Sequence, residues 1–381
     1  MEFAWSDDDA RYRRELCAFL EAELPPDWDE IAAEGPGSEG VVARCRGFCA
    51  ELARRGWLVQ HWPRAWGGAD APPWRHAILG EELWSRGEPR GPQYMNVNWI
   101  GPTLLAFGTE EQKREHLTRI ARGDVLWCQG FSEPEAGSDL AALRTLAIRE
   151  GDAYRVNGSK LWTSYANHAE FCFLLVRTDP GSQRQRGLSV LLAPMDLPGI
   201  EVREVPSVVG DRYFHEVFWT DVRVPEACRL GPEHEGWSVV AYALQYERVG
   251  APRYARAART LDGLAARARQ QGLLEDPALL EKLGAARALA EAARLLSYRV
   301  IDGRAHGRPP SAETNVARVA GTLAERTVAE LALELFGADS LAHGSFGDAQ
   351  FRMAMTAGVA VGATEVQLNL VAHRVLELPR E

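Results

Sequence analysis

Two short segments of the chain gather residue types that can hold a flat molecule with a polar edge. The first is Gln129-Gly130-Phe131-Ser132-Glu133-Pro134-Glu135-Ala136-Gly137-Ser138-Asp139, too rich in Gly, Pro and small hydroxyls for a plain strand. Such a backbone offers amides and hydroxyls in a concave turn, suited to ring edges or a phosphate. The second, Asn157-Gly158-Ser159-Lys160-Leu161-Trp162-Thr163-Ser164, reads as a hairpin turn leading to an aromatic flanked by hydroxyls. That arrangement suits stacking against a flat heteroaromatic cofactor. Each segment alone reads equally well as an ordinary loop or hairpin.

Other chemistries find little support. The six cysteines include no Cys-x-x-Cys, and no His pair has zinc spacing, so a metal site is not expected. Cys45 and Cys49, four apart on a helix face, read as small core residues. Neither a Gly-x-Ser-x-Gly elbow nor a Walker loop occurs. Gly35-Pro36-Gly37-Ser38-Glu39-Gly40 matches Gly-x-Gly-x-x-Gly. It follows a helical stretch, Trp28 to Glu34, where a pyrophosphate site needs a strand, and it reads as a surface loop.

The 381 residues are 46% apolar and carry a net charge of −10, which excludes disorder and argues against a nucleic-acid partner. No apolar run reaches the ~20 residues of a membrane span, and the acidic start is unlike a signal peptide, so a cytoplasmic address is expected. Three of the 43 basic residues are lysines, Lys113, Lys160 and Lys282, so positive charge is nearly all arginine. Codon bias is the expected explanation, and the functional alternative is that guanidinium groups make bidentate contacts with phosphates and carboxylates.

Periodicity divides the chain into three segments: helical over 1–122, β-rich over 123–227, helical again over 228–381. Ala10 to Leu24 carries one apolar stripe and stops at Pro25-Pro26. Arg44 to Arg55, His76 to Arg86 and Gly101 to Gly108 follow as helices, and Thr109-Glu110-Glu111-Gln112 is a capping box for the next. Six tryptophans between Trp57 and Trp99 pack a core or wall a pocket. Phe171 to Val176, Leu188 to Leu192, Ile200 to Val205 and His215 to Trp219 read as strands without helices between them, hence an antiparallel barrel or sandwich. Trp237 to Ala266, Pro277 to Ala305, Ser311 to Phe336 and Gln350 to Leu376 read as a four-helix bundle. The fold class is α+β in this helical, β, helical order.

In this plan the motifs together resemble the acyl-CoA dehydrogenase family over almost the whole chain. They run from Gly101-Pro102-Thr103 and Phe107-Gly108-Thr109-Glu110-Glu111-Gln112-Lys113 to the block at Ser132–Asp139. Asn157-Gly158-x-Lys160-x-Trp162, Asp221-Val222-Arg223-Val224-Pro225, Gly236-Trp237 and the tail Gly362-Ala363-Thr364-Glu365-Val366-Gln367 follow in order. The resemblance implies noncovalent FAD, an acyl-CoA or carrier-bound acyl thioester substrate, and electron-transfer flavoprotein as electron acceptor. It implies that Gln129, Phe131 and Ser132 meet the isoalloxazine edge, that Trp162 stacks near the ring, and that Ser164 contacts the N5 region. Ser138 matches the serine that touches the pantetheine arm, and Ala363 and Glu365 belong to a tail motif that contacts the adenosine of FAD. Gly101 falls near the expected pocket wall, where it leaves room for bulk.

The chemistry implied is α,β-dehydrogenation, which needs a carboxylate base in a dry pocket and donors aimed at the thioester oxygen. Many members carry the base just before the glycine of the tail motif; here Val361 stands there. Others, the isovaleryl and long-chain types, carry it on the first helix of the C-terminal bundle, where Glu247 falls on the matching position. Arg248 matches a family arginine near the active site. Pro252 is expected to kink this helix. The family's Arg-x-x-Phe-Gly, whose arginine reaches the FAD pyrophosphate of a neighbouring subunit, is replaced by Arg269-Gln270-Gln271-Gly272, so a homo- or a hetero-oligomer, dimer or tetramer, is open. A flavin monooxygenase or oxidase on the same fold, and a partner subunit that completes another chain's flavin site, are the rival readings.

Overall fold

The computed structural model describes residues 5–28, 31, 35–209, 213–308, 311–360 and 362–379. The first helix, α1 (Asp7–Glu23), begins three residues before the apolar stripe, because the Ser6 hydroxyl accepts from the Asp9 N–H. Asp7, Asp8 and Asp9 then fill its first turn, where negative charge suits the helix N-terminus. Helix α2 (Glu39–Arg54) is capped by Ser38. The glycine-rich segment before it therefore starts a helix without any preceding strand. Gly35 and Gly37 are buried, not at the surface, and the Gly37 carbonyl lies 2.9 Å from His168 Nε2. Most of the helical stretch expected over Trp28 to Glu34 lies outside the described residues.

Helix α3 (Pro73–Ser85) precedes one turn at Gln93–Met95, a π-helical turn at Asn96–Ile100, and α4 (Gly101–Phe107). The expected capping box at Thr109 and Gln112 is fully formed and opens α5 (Glu110–Arg122). Strands β1 (Trp127–Gly130), β2 (Leu146–Glu150), β3 (Ala153–Ser164), β4 (Phe171–Arg177), β5 (Leu188–Pro194), β6 (Ile200–Val205), β7 (Phe214–Pro225) and β8 (Arg229–Leu230) follow. Helices α6 (Gly236–Gly250), α7 (Arg253–Gln270), α8 (Pro277–Ala305), α9 (Glu313–Phe336), α10 (Phe346–Met355) and α11 (Thr364–Arg374) complete the chain.

The strands form one eight-stranded sheet, in the order β6-β7-β3-β2-β4-β5-β8, with β1 beside β4. Most pairings are antiparallel, but β1 and β2 both run parallel to β4. The β1-to-β4 connection contains the β2–β3 hairpin, so a parallel pair arises here without a crossover helix. Asn157-Gly158 is not the hairpin turn. It lies inside the twelve-residue strand β3, at a shift of register against β7. The turn falls at Gly151-Asp152, where Gly151 takes φ +65°.

By contact density the chain forms two compact units, which cut it differently from its helical and β segments. One comprises Met1–Glu34, Ala71–Pro89 and Arg248–Glu381; the other comprises Gly35–Asp70 and Arg90–Glu247. The sheet-bearing unit is cored by Cys128, Tyr154, Val156, Leu174, Val217 and Trp219. The helical unit is cored by Leu261, Leu264, Ala286, Ala290, Val328 and Leu331, from α7, α8 and α9. Two of the expected long helices are broken. Pro252 separates α6 from α7 outright, where a kink was expected. Gly358 and Gly362, both at φ +85°, interrupt the segment between α10 and α11.

Candidate active site

The two chemistry-bearing segments meet along one edge of the sheet-bearing unit. The Leu161 N–H donates to the Ser132 carbonyl at 2.9 Å, which ties the end of β1 to β3. Lys160, fully buried, donates to the Phe131 carbonyl at 3.1 Å and to Glu133 Oε1 at 2.8 Å. Glu133 also accepts from the Arg144 and Thr145 N–H groups, at 2.6 and 2.9 Å. Burial pushes the Glu133 carboxyl up, but Lys160 and these donors outweigh it and hold the group below the usual carboxylate range. Burial lowers the proton affinity of Lys160, and Glu133 opposes that shift. Motif reading gave neither residue a role, because they stand 27 positions apart and only the sheet brings them together.

Around this lock the candidate flavin residues take distinct stations. Trp162 is 52% exposed and sits at φ +60°, in a register shift between Lys160 and Thr163. A left-handed backbone at a bulky residue costs about 1–3 kcal/mol, and it turns the indole out of the sheet with Phe214 edge-on at 5.7 Å. Gln129, Ser132 and Ser164 are half-buried, and Gln129 Oε1 accepts from Trp99 Nε1 at 2.7 Å. The Phe131 ring is buried against Phe173, and its carbonyl accepts from Lys160. Ser138 is exposed on the same loop.

Gly101 opens no pocket. A Cβ there would lie 2.0 Å from the Trp62 indole and 2.9 Å from the Asn96 carbonyl. The glycine is needed because Trp62, almost fully buried, fills the space above it. Gly101→Ala is expected to destabilise the protein by about 1–3 kcal/mol through overpacking, read by urea denaturation. An alanine variant as stable as the parent would show that Trp62 can swing aside. Trp84 and Trp99 are likewise buried, while Trp57, Trp66 and Trp74 are half-buried.

Glu247 lies near the end of α6, with Val240 and Ala243 on the same buried face. It is 9% exposed, so its side chain is largely withdrawn from solvent. Tyr242 and Tyr246 sit beside that face with their hydroxyls 3.2 Å apart. Arg248 is half-buried. Val361, where the alternative base would stand, lies outside the described residues. In the helical unit Ala363 caps α11 and Glu365 is exposed in its first turn. Gly362 is fixed by Gln367, whose amide would be 2.2 Å from an added Cβ. Arg269, which stands where the family's pyrophosphate arginine was sought, is exposed, while its neighbour Arg267 lies over Phe336 at 4.0 Å and pairs with Asp339.

Three family models cover nearly all of this: acyl-CoA dehydrogenase N-terminal domain over residues 6–124, middle domain over 128–222 and C-terminal domain over 234–376. The chain belongs to the acyl-CoA dehydrogenase family. The acyl-CoA dehydrogenase IpdE1 of Mycobacterium tuberculosis is 36% identical over 355 residues, 91% of each chain. A solved structure described as the Tcur3481-Tcur3483 steroid ACAD aligns with TM-score 0.91 and 30% identity over the whole of both chains. The ChsE4-ChsE5 complex from Mycobacterium tuberculosis aligns with TM-score 0.88 and 31% identity, again over both whole chains.

Acyl-CoA dehydrogenases are flavoproteins, and the residues here fit such a group. An exposed, backbone-strained indole offers an uncovered aromatic face, and half-buried amide and hydroxyl groups stand on the adjoining strands. Among the described residues no group of His, Cys, Asp or Glu could hold a metal ion, and no helix is long and apolar enough to cross a membrane.

Proposed function

We propose that the protein is an FAD-dependent acyl-CoA dehydrogenase that converts an acyl-CoA thioester to its 2-enoyl-CoA, with Glu247 as the base. FAD, when bound, supplies the hydride acceptor. Glu247 takes the α proton; its burial on the apolar face of α6 excludes water, which would otherwise compete for the carboxylate. Gln129, Ser132, Ser164 and the Phe131 N–H hold the polar ring edge, Trp162 covers a ring face, and Ser138 meets the pantetheine arm. The observation that carries the reading is Glu247 itself, a buried carboxylate in a chain of this family whose alternative position holds Val361. A monooxygenase or oxidase needs no such base. Electron-transfer flavoprotein is the acceptor we assign.

The test is a visible spectrum of the purified protein, then anaerobic titration with a panel of acyl-CoAs. The steroid ACAD among the relatives makes steroid side-chain thioesters the first to try. Bleaching of a flavin band by at least one thioester is the expected result. Absence of flavin from the protein in its native assembly, or flavin that no thioester bleaches, would overturn the reading.

A second reading has its own support: the flavin site is completed by a different chain. Arg269-Gln270-Gln271-Gly272 stands in place of the family's Arg-x-x-Phe-Gly, without the phenylalanine and out of register. Two similar structures, the Tcur3481-Tcur3483 steroid ACAD and the ChsE4-ChsE5 complex, are named as pairs of proteins. Co-purification of an unrelated-length partner together with the flavin would favour it; a flavin-loaded homo-oligomer would exclude it.

A further inference from the structure

Arg177, at the end of β4, is 9% exposed, and among the described residues no carboxylate forms a salt bridge with it, although Glu133 and Asp179 act on it at longer range. Its guanidinium donates almost entirely to backbone carbonyls. Nε reaches the Leu143 carbonyl at 3.3 Å, and Nη2 reaches those of Ala141 and Arg184 at 3.1 Å each. Nη1 reaches the Arg186 carbonyl and Ser182 Oγ at 3.0 Å each, and the Ser182 carbonyl at 3.4 Å. A planar fork of five N–H groups can serve these six acceptors with one N–H of Nη1 shared between two; a lysine ammonium, with three N–H groups, cannot.

These acceptors belong to two loops. Ala141 and Leu143 follow Ser138 and Asp139, in and just after the short 3-10 turn Leu140–Ala142. Ser182, Arg184 and Arg186 belong to the loop between β4 and β5. The second loop is wound on itself: the Ser182 hydroxyl donates to the Asp179 and Arg186 carbonyls, and both Thr178 and Asp179 donate to the Gly187 carbonyl. A second, exposed tie joins the same two loops, from Arg184 to Asp139 at 3.0 Å. The Ser132–Asp139 block is thus fixed at its near end by Lys160 and Glu133, and just beyond its far end Arg177 holds Ala141 and Leu143 while Arg184 ties Asp139.

We propose that Arg177 is a positioning residue for the thioester arm, holding Ser138 and the 179–187 loop as one rigid rim. This rests on the reading of Ser138 as a pantetheine contact. A rim that guides the arm acts on binding and leaves the proton and hydride steps alone. Its loss therefore raises KM and spares kcat.

The experiment compares Arg177→Lys, Asp139→Asn and Ser138→Ala as flavin-loaded enzymes in their native assembly. Steady-state kinetics with the best acyl-CoA are run beside limited trypsin cleavage after Arg184 and Arg186. For Arg177→Lys we expect KM to rise about tenfold with kcat within about twofold, and cleavage in the loop to accelerate by a similar factor. Asp139→Asn, an exposed change that keeps the fold, should shift both in the same direction by less, and it decides the matter if Arg177→Lys fails to fold. Faster cleavage at unchanged KM would overturn the inference and leave Arg177 a scaffold residue. A fall in kcat with KM unchanged would also overturn it. Ser138→Ala separates the two failures. If it raises KM while the other two variants do not, the inference falls and the reading of Ser138 stands. If it leaves KM unchanged, the reading of Ser138 is what has failed.

Discussion

Changing Glu247 to glutamine is expected to slow reduction of the bound flavin by acyl-CoA by about 10²–10⁴-fold, with flavin content at the parental level. The amide keeps the shape and much of the hydrogen-bonding capacity of the carboxylate but cannot accept the α proton. A loss of about 10³-fold corresponds to about 4 kcal/mol of transition-state stabilisation, which lies within the range of one acid–base group. Burial of Glu247 makes the contrast sharp, because bulk water cannot readily take over as the base. Glu247→Asp withdraws the carboxylate by one methylene and should fall between the two. Stopped-flow reduction under anaerobic conditions reads all three. Parental rates in Glu247→Gln within the intact assembly would remove this residue from the chemistry and favour a partner chain as the site of turnover.

Lys160→Met should strongly destabilise the sheet-bearing unit. It removes the ammonium that pairs with Glu133 and leaves a carboxylate that is 8% exposed held only by the Arg144 and Thr145 N–H groups and the more distant charge of Arg177. Breaking one half of a buried pair costs about 3–5 kcal/mol, measurable by urea denaturation. The penalty has a pH signature. In the parent, Glu133 titrates below its ordinary value, so its stabilisation is present above the unfolded carboxyl range and is lost as pH falls through the folded value. In the variant burial acts unopposed by the lysine and the carboxyl titrates higher. The stability gap between the two proteins should therefore be widest near neutrality and narrow in acid, as both carboxyls become neutral. A gap that does not depend on pH would mean that packing, not charge, is what Lys160 supplies. Flavin content should fall as well, since Ser132 and the Phe131 N–H lose the anchor that fixes them.

Much of this was legible in the sequence wherever the signal is local. Ile200–Val205, the Pro277–Ala305 helix and the Thr109–Gln112 capping box follow from propensity, periodicity and spacing alone. The three-part order and the family follow from motifs in register. The failures share a cause: a local signal overruled by a distant contact. Asn157-Gly158 is the strongest short-range sign of a hairpin, yet Gly158 is there because Thr145 lies 2.6 Å from where its Cβ would be. Gly101 read as open space and is in fact covered by Trp62. Lys160 with Glu133, and Arg177 with two loops, are contacts across the sheet that no window of sequence contains. The Arg184–Asp139 tie, spanning 45 positions, is of the same kind.

The scarcity of lysine gives the buried lock a further use. Lys113 and Lys282 expose 18% and 50% of their side chains, while Lys160 exposes none. An amine-acylating reagent thus meets two lysine amines at once and the third only when the loop over it lifts away. The rate of that late adduct, divided by the rate for a free amine, gives the equilibrium constant for opening. Intact mass would resolve it without any engineered probe. The molecule carries its own reporter of how often the rim of the candidate flavin site comes apart, and a ligand that closes the rim would silence it.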